Sequence, residues 1–133
     1  MNKQKLQMLE QYIKLEMSPI LLEDISTSNI KNAVVLPANC DISFLNGHYE
    51  GIEFLPPQWY AELLAKSKQT HSLLLIPNIN QIPQEEQTKF LELFKYKKIS
   101  TFDLPKNTII IATASKLKEN PIIEEIYSLM IHI

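Results

Sequence analysis

Residues 72–80 read Ser72-Leu73-Leu74-Leu75-Ile76-Pro77-Asn78-Ile79-Asn80. The continuous apolar run Ser72 to Ile76 is what a central parallel strand requires when both of its faces are covered. Pro77 ends it, because proline lacks the N–H that a ladder needs. Thr108 to Thr113 is a second run of the same kind. Between the two, Pro83 starts a helix in which Gln87, Phe90, Leu91, Leu93 and Phe94 form the inward side, with Glu85, Glu86, Lys89 and Glu92 turned to water. Strand, helix and strand in this order predict an α/β fold: a three-layer α/β/α sandwich around a mainly parallel sheet.

The flanking sequence continues the alternation. Leu6, Leu9, Tyr12, Ile13 and Leu15 to Met17 fall mostly on one helical face, predicting an opening helix of about sixteen residues that stops before Ser18-Pro19. Ile20 to Leu22 reads as a buried strand; Ala33 to Leu36 is either a strand or the stub of a helix. Ile42 to Leu45 and Tyr49 to Phe54 flank Asn46-Gly47, a pair suited to a type I′ turn, which predicts a β-hairpin. Pro56-Pro57 opens a helix to about Lys66 with Trp59, Leu63 and Leu64 inward. Pro121 to Tyr127 is expected as a short helix and Leu129 to Ile133 as a final strand. Trp59, Tyr60, Phe90 and Phe94 are expected in the core.

A chain of 133 residues is expected to form a single domain spanning 1–133. Its net charge is −2, and all thirteen cations are lysine. Without arginine there is no bidentate grip on phosphate or guanine and no arginine finger, so nucleic acid is a poor expectation as partner. Lys95, Lys97 and Lys98 read as a solvated helix end. Cys40 stands alone, which forbids an internal disulfide, and His48, His71 and His132 are dispersed, so no metal site is expected. The opening residues lack the apolar run of a signal peptide or membrane span, which points to a cytoplasmic protein with no membrane partner.

The string LLLIPNINQIPQEEQTKFLELFKYKKISTFDLPKNTIIIATAS, residues 73–115, resembles the Walker B strand, following helix, short hairpin and sensor-1 strand of AAA+ ATPases of the MoxR-like and dynein-related branch. Asn80 and Gln87 match polar positions that this family commonly keeps. Residues 51–59 are similar to the segment before Walker B, and residues 127–133 to the one that usually carries an arginine after a serine. The resemblance implies a P-loop NTPase-like core, here truncated and lacking the helical lid that would carry sensor 2.

Carried over residue by residue, the resemblance implies a degenerate nucleotide site. Asp24 to Lys31, DISTSNIK, takes the place of the phosphate loop, with Asp24 and Asn29 where glycines belong and Ile30 where the lysine belongs. Lys31 comes one residue late, which on a helix turns it about 100° from the site. Pro77 and Asn78 replace the metal-binding aspartate and the water-activating glutamate; Ser115 takes the sensor-1 position and Leu129 that of the arginine. Phosphoryl transfer depends on positioning and charge neutralisation, so these correlated losses predict no catalytic residue, no ATPase activity and no cofactor. The expectation is a pseudoenzyme that binds another protein or itself. The alternative is a nucleotide-binding protein, taking ATP or ADP with Mg²⁺ at a nonstandard or partner-completed site.

Overall fold

A computed structural model describes residues 3–68, 71–99 and 102–133 of the chain. Five parallel strands form the central sheet: β1 (Ile20–Glu23), β2 (Ala33–Val35), β5 (Ser72–Ile76), β8 (Thr108–Ala114) and β9 (Ile131–His132), in the spatial order β2-β5-β8-β1-β9. Two antiparallel hairpins stand apart, β3 (His48–Glu50) with β4 (Glu53–Leu55), and β6 (Lys98–Ile99) with β7 (Phe102–Asp103). The helices are α1 (Lys3–Lys14), α2 (Ile42–Asn46), α3 (Gln58–Ser67), α4 (Gln84–Gln87), α5 (Leu91–Tyr96) and α6 (Glu124–Tyr127).

The apolar runs make the centre of the sheet. All seven residues of β8 are buried, as are Ile20, Leu21 and Leu22 of β1. Burying each such aliphatic side chain contributes roughly 1.5–3 kcal/mol. Two hydroxyls inside the sheet satisfy each other, Ser72 Oγ and Thr108 Oγ1 at 3.0 Å.

Connection handedness sorts the elements onto two faces. The steps β2 to β5, β5 to β8 and β8 to β9 all move the same way across the sheet, and Leu45, Trp59, Leu63, Phe90, Leu93, Phe94 and Ile126 cover one face with their helices. The return from β1 to β2 moves the opposite way, so a right-handed crossover carries it over the other face. Ile25 and Ile30 of that return pack there, beside Leu6, Leu9, Tyr12 and Ile13 of α1. The N-terminal helix is therefore the main helical cover of the second face.

Several local expectations shift. The segment 42–46 is helical rather than the first arm of a hairpin. Asp41 caps it, accepting from the Phe44 N–H at 2.7 Å, and Gly47 closes it by donating to Ser43 O at 2.9 Å. The hairpin turns at Gly51-Ile52 instead, with φ positive at Gly51, the type II′ pattern. Ala33–Val35 is a strand, so the helix-stub option falls away. The first helix ends at Lys14 and leaves Leu15 68% exposed, while Met1 and Asn2 lie outside the described residues. In α3, Tyr60 takes the inward place expected of Leu64, which is exposed. The helix after Pro83 is interrupted by a 3₁₀ turn at Thr88–Phe90, yet its expected inward residues stay inward. The last helix and strand are shorter than expected, Glu124–Tyr127 and Ile131–His132. Ser100 and Thr101 of the expected short hairpin lie outside the described residues.

The Asp41 cap carries a pH signature. The Phe44 N–H, and then the Ser43 hydroxyl, hold its carboxyl below the usual carboxylate range. Its folded value lies below the unfolded value of about 3.9, so the stabilisation is present above that pH and is lost as pH falls through the folded value. Asp41→Ala is expected to lower the melting temperature by a few degrees at neutral pH and to make the acid limb shallower. Identical acid limbs in variant and wild type would show the cap idle.

Candidate functional site

Because the strands are parallel, β2, β5, β8 and β1 end along one edge of the sheet, and three of the segments singled out by the resemblance meet there. Asp24 follows β1, Ser115 follows β8, and Pro77-Asn78 follows β5. β8 lies between the other two, so all three segments are neighbours.

Asn78 sits in the left-handed region, φ 54 and ψ 47, which asparagine tolerates better than most residues. Its N–H donates to Thr113 Oγ1 at 2.9 Å. A 3₁₀ turn, Ile79–Gln81, then buries Asn80, whose amide donates to Ser115 O at 2.6 Å and Asn120 O at 2.9 Å. Asn80 Oδ1 has no hydrogen-bond partner among the described residues. Gln87 is fully buried and makes a second clamp: its amide donates to Ile82 O and Pro121 O, both at 3.3 Å, and its Oε1 accepts from Ile123 N at 2.8 Å. The two amide positions singled out by the resemblance thus staple residues 115–123 to the segment after β5.

The return Asp24 to Asn32 holds no helix beyond one 3₁₀ turn, Thr27–Asn29. Asp24 has φ 59, is exposed, and donates its N–H to Ala114 O at 2.9 Å. Ser26 caps the turn. Asn29 N donates to Ser26 O at 3.1 Å and Ile30 N to Thr27 O at 3.0 Å, while the Asn29 amide also reaches Ser26 O. These donors are spent on their own turn, whereas an anion cradle needs several of them pointing at one place. Lys31 is exposed but not helical, contrary to the expectation that it stands on a helix rotated from the site. Serine and asparagine side chains that bond their own backbone hold a single turn, and Asn32 at φ 60 leads straight into β2. Lys5 of α1 reaches this edge, donating to Glu23 O at 2.9 Å.

Leu129 is not brought to this edge. It precedes β9, whose first residue pairs with Ile20 at the start of β1, so it lies at the opposite end of the sheet. There it is half-buried against the main core.

Beside Pro77-Asn78 lies a cleft of about 330 Å³ between the ends of β2 and β5. Its polar groups are the amides of Asn39, Asn78 and Gln81, and Pro37, Ala38, Pro77 and Ile82 supply the apolar wall. Asn39 and Gln81 were missed in the sequence; the rule that ligands sit beyond the carboxyl ends of parallel strands would have pointed to Asn39. Next to it, burial pushes the Cys40 thiol up, with Lys89 pulling the other way. Lys89 Nζ donates to Cys40 O.

A magnesium nucleotide is held by carboxylates and by backbone N–H groups turned inward. The strand end offers a proline and a neutral amide where the metal needs a carboxylate, and the return loop presents no inward row of N–H groups. Among the described residues no three His, Cys, Asp or Glu side chains converge as metal ligands, and no helix is long and apolar enough to cross a membrane. No protein-family model matches the chain, and no curated protein is significantly similar to it.

Proposed function

We propose that this chain is a catalytically inactive, AAA+-like domain that acts by binding another protein or by assembling with itself. The observation that carries the proposal is the return from Asp24 to Asn32. A phosphate loop runs into a helix whose N-terminus faces the phosphates, and here the same stretch is one 3₁₀ turn bonded to itself. The family reading is supported by adjacency, since one nucleotide touching Walker A, Walker B and sensor 1 requires their strands to be neighbours. β1, β5 and β8 meet that requirement, with β8 in the middle. Protein is a better partner than nucleic acid for an arginine-free chain of net charge −2, and a cytoplasmic location accords with its single cysteine.

The cleft at Asn39, Asn78 and Gln81 favours one second reading, a nucleotide held through its base or sugar at a nonstandard or partner-completed site. Calorimetric titration with Mg-ATP and Mg-ADP separates the two. The expected result is no heat and no thermal shift up to millimolar ligand. The double variant Pro77→Asp, Asn78→Glu is expected to remain without hydrolysis, because the loop is still missing. Turnover in that variant would sink the pseudoenzyme reading. Light scattering after size exclusion, with pull-down from native lysate, tests the interaction half; a strict monomer that captures nothing counts against it.

A further inference from the structure

We propose that the groove between α2 and the β3–β4 hairpin docks a segment of a partner protein that carries lysine or arginine beside large apolar side chains. The proposal rests on the protein-interaction reading above and names the chemistry of the partner.

The first support is a charge asymmetry. Between Lys31 and Lys66 the chain has no cation, while Asp41, Glu50, Glu53 and Glu62 are all carboxylates. The second is exposed apolar surface within the same stretch. Ile42 is 56% exposed, Phe44 43%, Tyr49 70%, and Ile52 at the hairpin turn is fully exposed. Isolated apolar side chains on a surface need no explanation; here Phe44 lines the groove, Ile42 precedes it on the same short helix and Ile52 sits at the hairpin turn, whereas Tyr49 stands on the hairpin's other face.

The groove itself, about 290 Å³, has Phe44, His48, Pro56 and Pro57 in its lining together with Asp41. Strand register places the other charges. His48 pairs with Leu55 and Glu50 with Glu53, so these side chains share one face of the hairpin, continuous with the groove through His48. Tyr49 and Phe54 share the other face. Phe54 stacks on Phe102 at 5.4 Å, and Phe102 packs on Tyr60, whose hydroxyl donates to Asp103 O at 2.6 Å. That aromatic chain fixes the hairpin to the body of the domain, so its acidic face is presented rigidly. Of the cations on neighbouring elements, Lys89 donates to Cys40 O and its charge acts on Asp41, and Lys98 pairs with Asp103 at 3.8 Å, so Glu50 and Glu53 are the carboxylates that would meet a partner's cations. His48 lies 3.6 Å from Glu50. Apolar anchors in such a groove supply affinity, and rim carboxylates choose the sign of the partner and set its register.

The test is fluorescence anisotropy with a labelled peptide of equal numbers of lysine and leucine, against one with the leucines replaced by serine and one with the lysines replaced by glutamate. Saturable one-to-one binding of the first peptide is expected, weakening with salt, and about tenfold or more weaker for either altered peptide. The charge variant Glu50→Lys, Glu53→Lys, made at exposed positions that do not threaten folding, is expected to weaken it about as much, as is Phe44→Ser. Met8→Ser on α1 is expected to change nothing. Equal binding of the glutamate peptide, or undiminished binding by the charge variant, overturns the proposal. So does wild-type dimerisation that the same substitutions abolish, because the occupant is then a second copy. If Mg-ATP titrates into the protein while the peptides behave as expected, the inactive reading falls and the groove stands. If the peptides fail while the chain assembles with itself, the reverse holds.

Discussion

Gly47→Ala is expected to destabilise the fold by roughly 3–5 kcal/mol, whereas Gly51→Ala, four residues away, is expected to cost about 1 kcal/mol. Both glycines have positive φ, 82 and 64. They differ in what a methyl group would meet. At Gly47 the backbone has φ 82 and ψ −174, a region essentially reserved for glycine, and the new Cβ would stand 2.4 Å from Leu55 O. That oxygen belongs to β4 and cannot swing aside as a side chain can. At Gly51 nothing lies within 4 Å, so only left-handed strain remains. Urea unfolding of the two variants with unchanged slope measures the difference. Equal, small losses would mean that the junction of α2 and β3 is not held as described, and the docking groove built on that junction would lose its geometry too.

The same junction shows where sequence reading reached its limit. Ser72 to Ile76 and Thr108 to Thr113 were legible because strands covered on both faces need unbroken apolar runs, and both runs are strands. Ile42 to Leu45 misled because Asn46-Gly47 suits a hairpin turn and a helix end equally well. What decided was Asp41, whose carboxylate caps the helix, and the Leu55 carbonyl, which only a glycine at 47 can approach. Ala33 to Leu36 was too short to show a period. For the site, Asp24, Pro77, Asn78 and Ser115 were grouped by the resemblance, and they meet in space because each follows a strand and parallel strands end together. Lys31 could not be placed, since its setting depends on hydrogen bonds made by Ser26 and Asn29 within one turn. Leu129 fell at the far edge for a different reason: periodicity carries no information on which end of a strand a residue precedes in space once the strand order is unknown.

Gln87→Leu is expected to cost about 3 kcal/mol although it preserves volume and adds apolar surface at a fully buried position. A packing role alone would make the change nearly neutral. The Gln87 amide, however, donates to Ile82 O and Pro121 O, and its Oε1 is the acceptor for Ile123 N at 2.8 Å. Leucine leaves a donor and two acceptors short of a partner, at roughly 1–3 kcal/mol for each group that stays buried and unpaired. The loss should be local before it is global. Gln87, together with Asn80, holds residues 115–123 to the segment after β5, so hydrogen exchange is expected to accelerate first at 116–123 and to leave the β5 and β8 amides protected. Uniform acceleration across the sheet, or a loss below about 1 kcal/mol, would assign Gln87 to packing. The outcome also bears on ancestry. Clamps with a large energetic role beside a strand end that carries no carboxylate are what the proposed AAA+-like reading expects if the carboxyl edge is kept for its shape, with Asn80 and Gln87 holding Ser115 and its loop in place for a partner rather than for a phosphate.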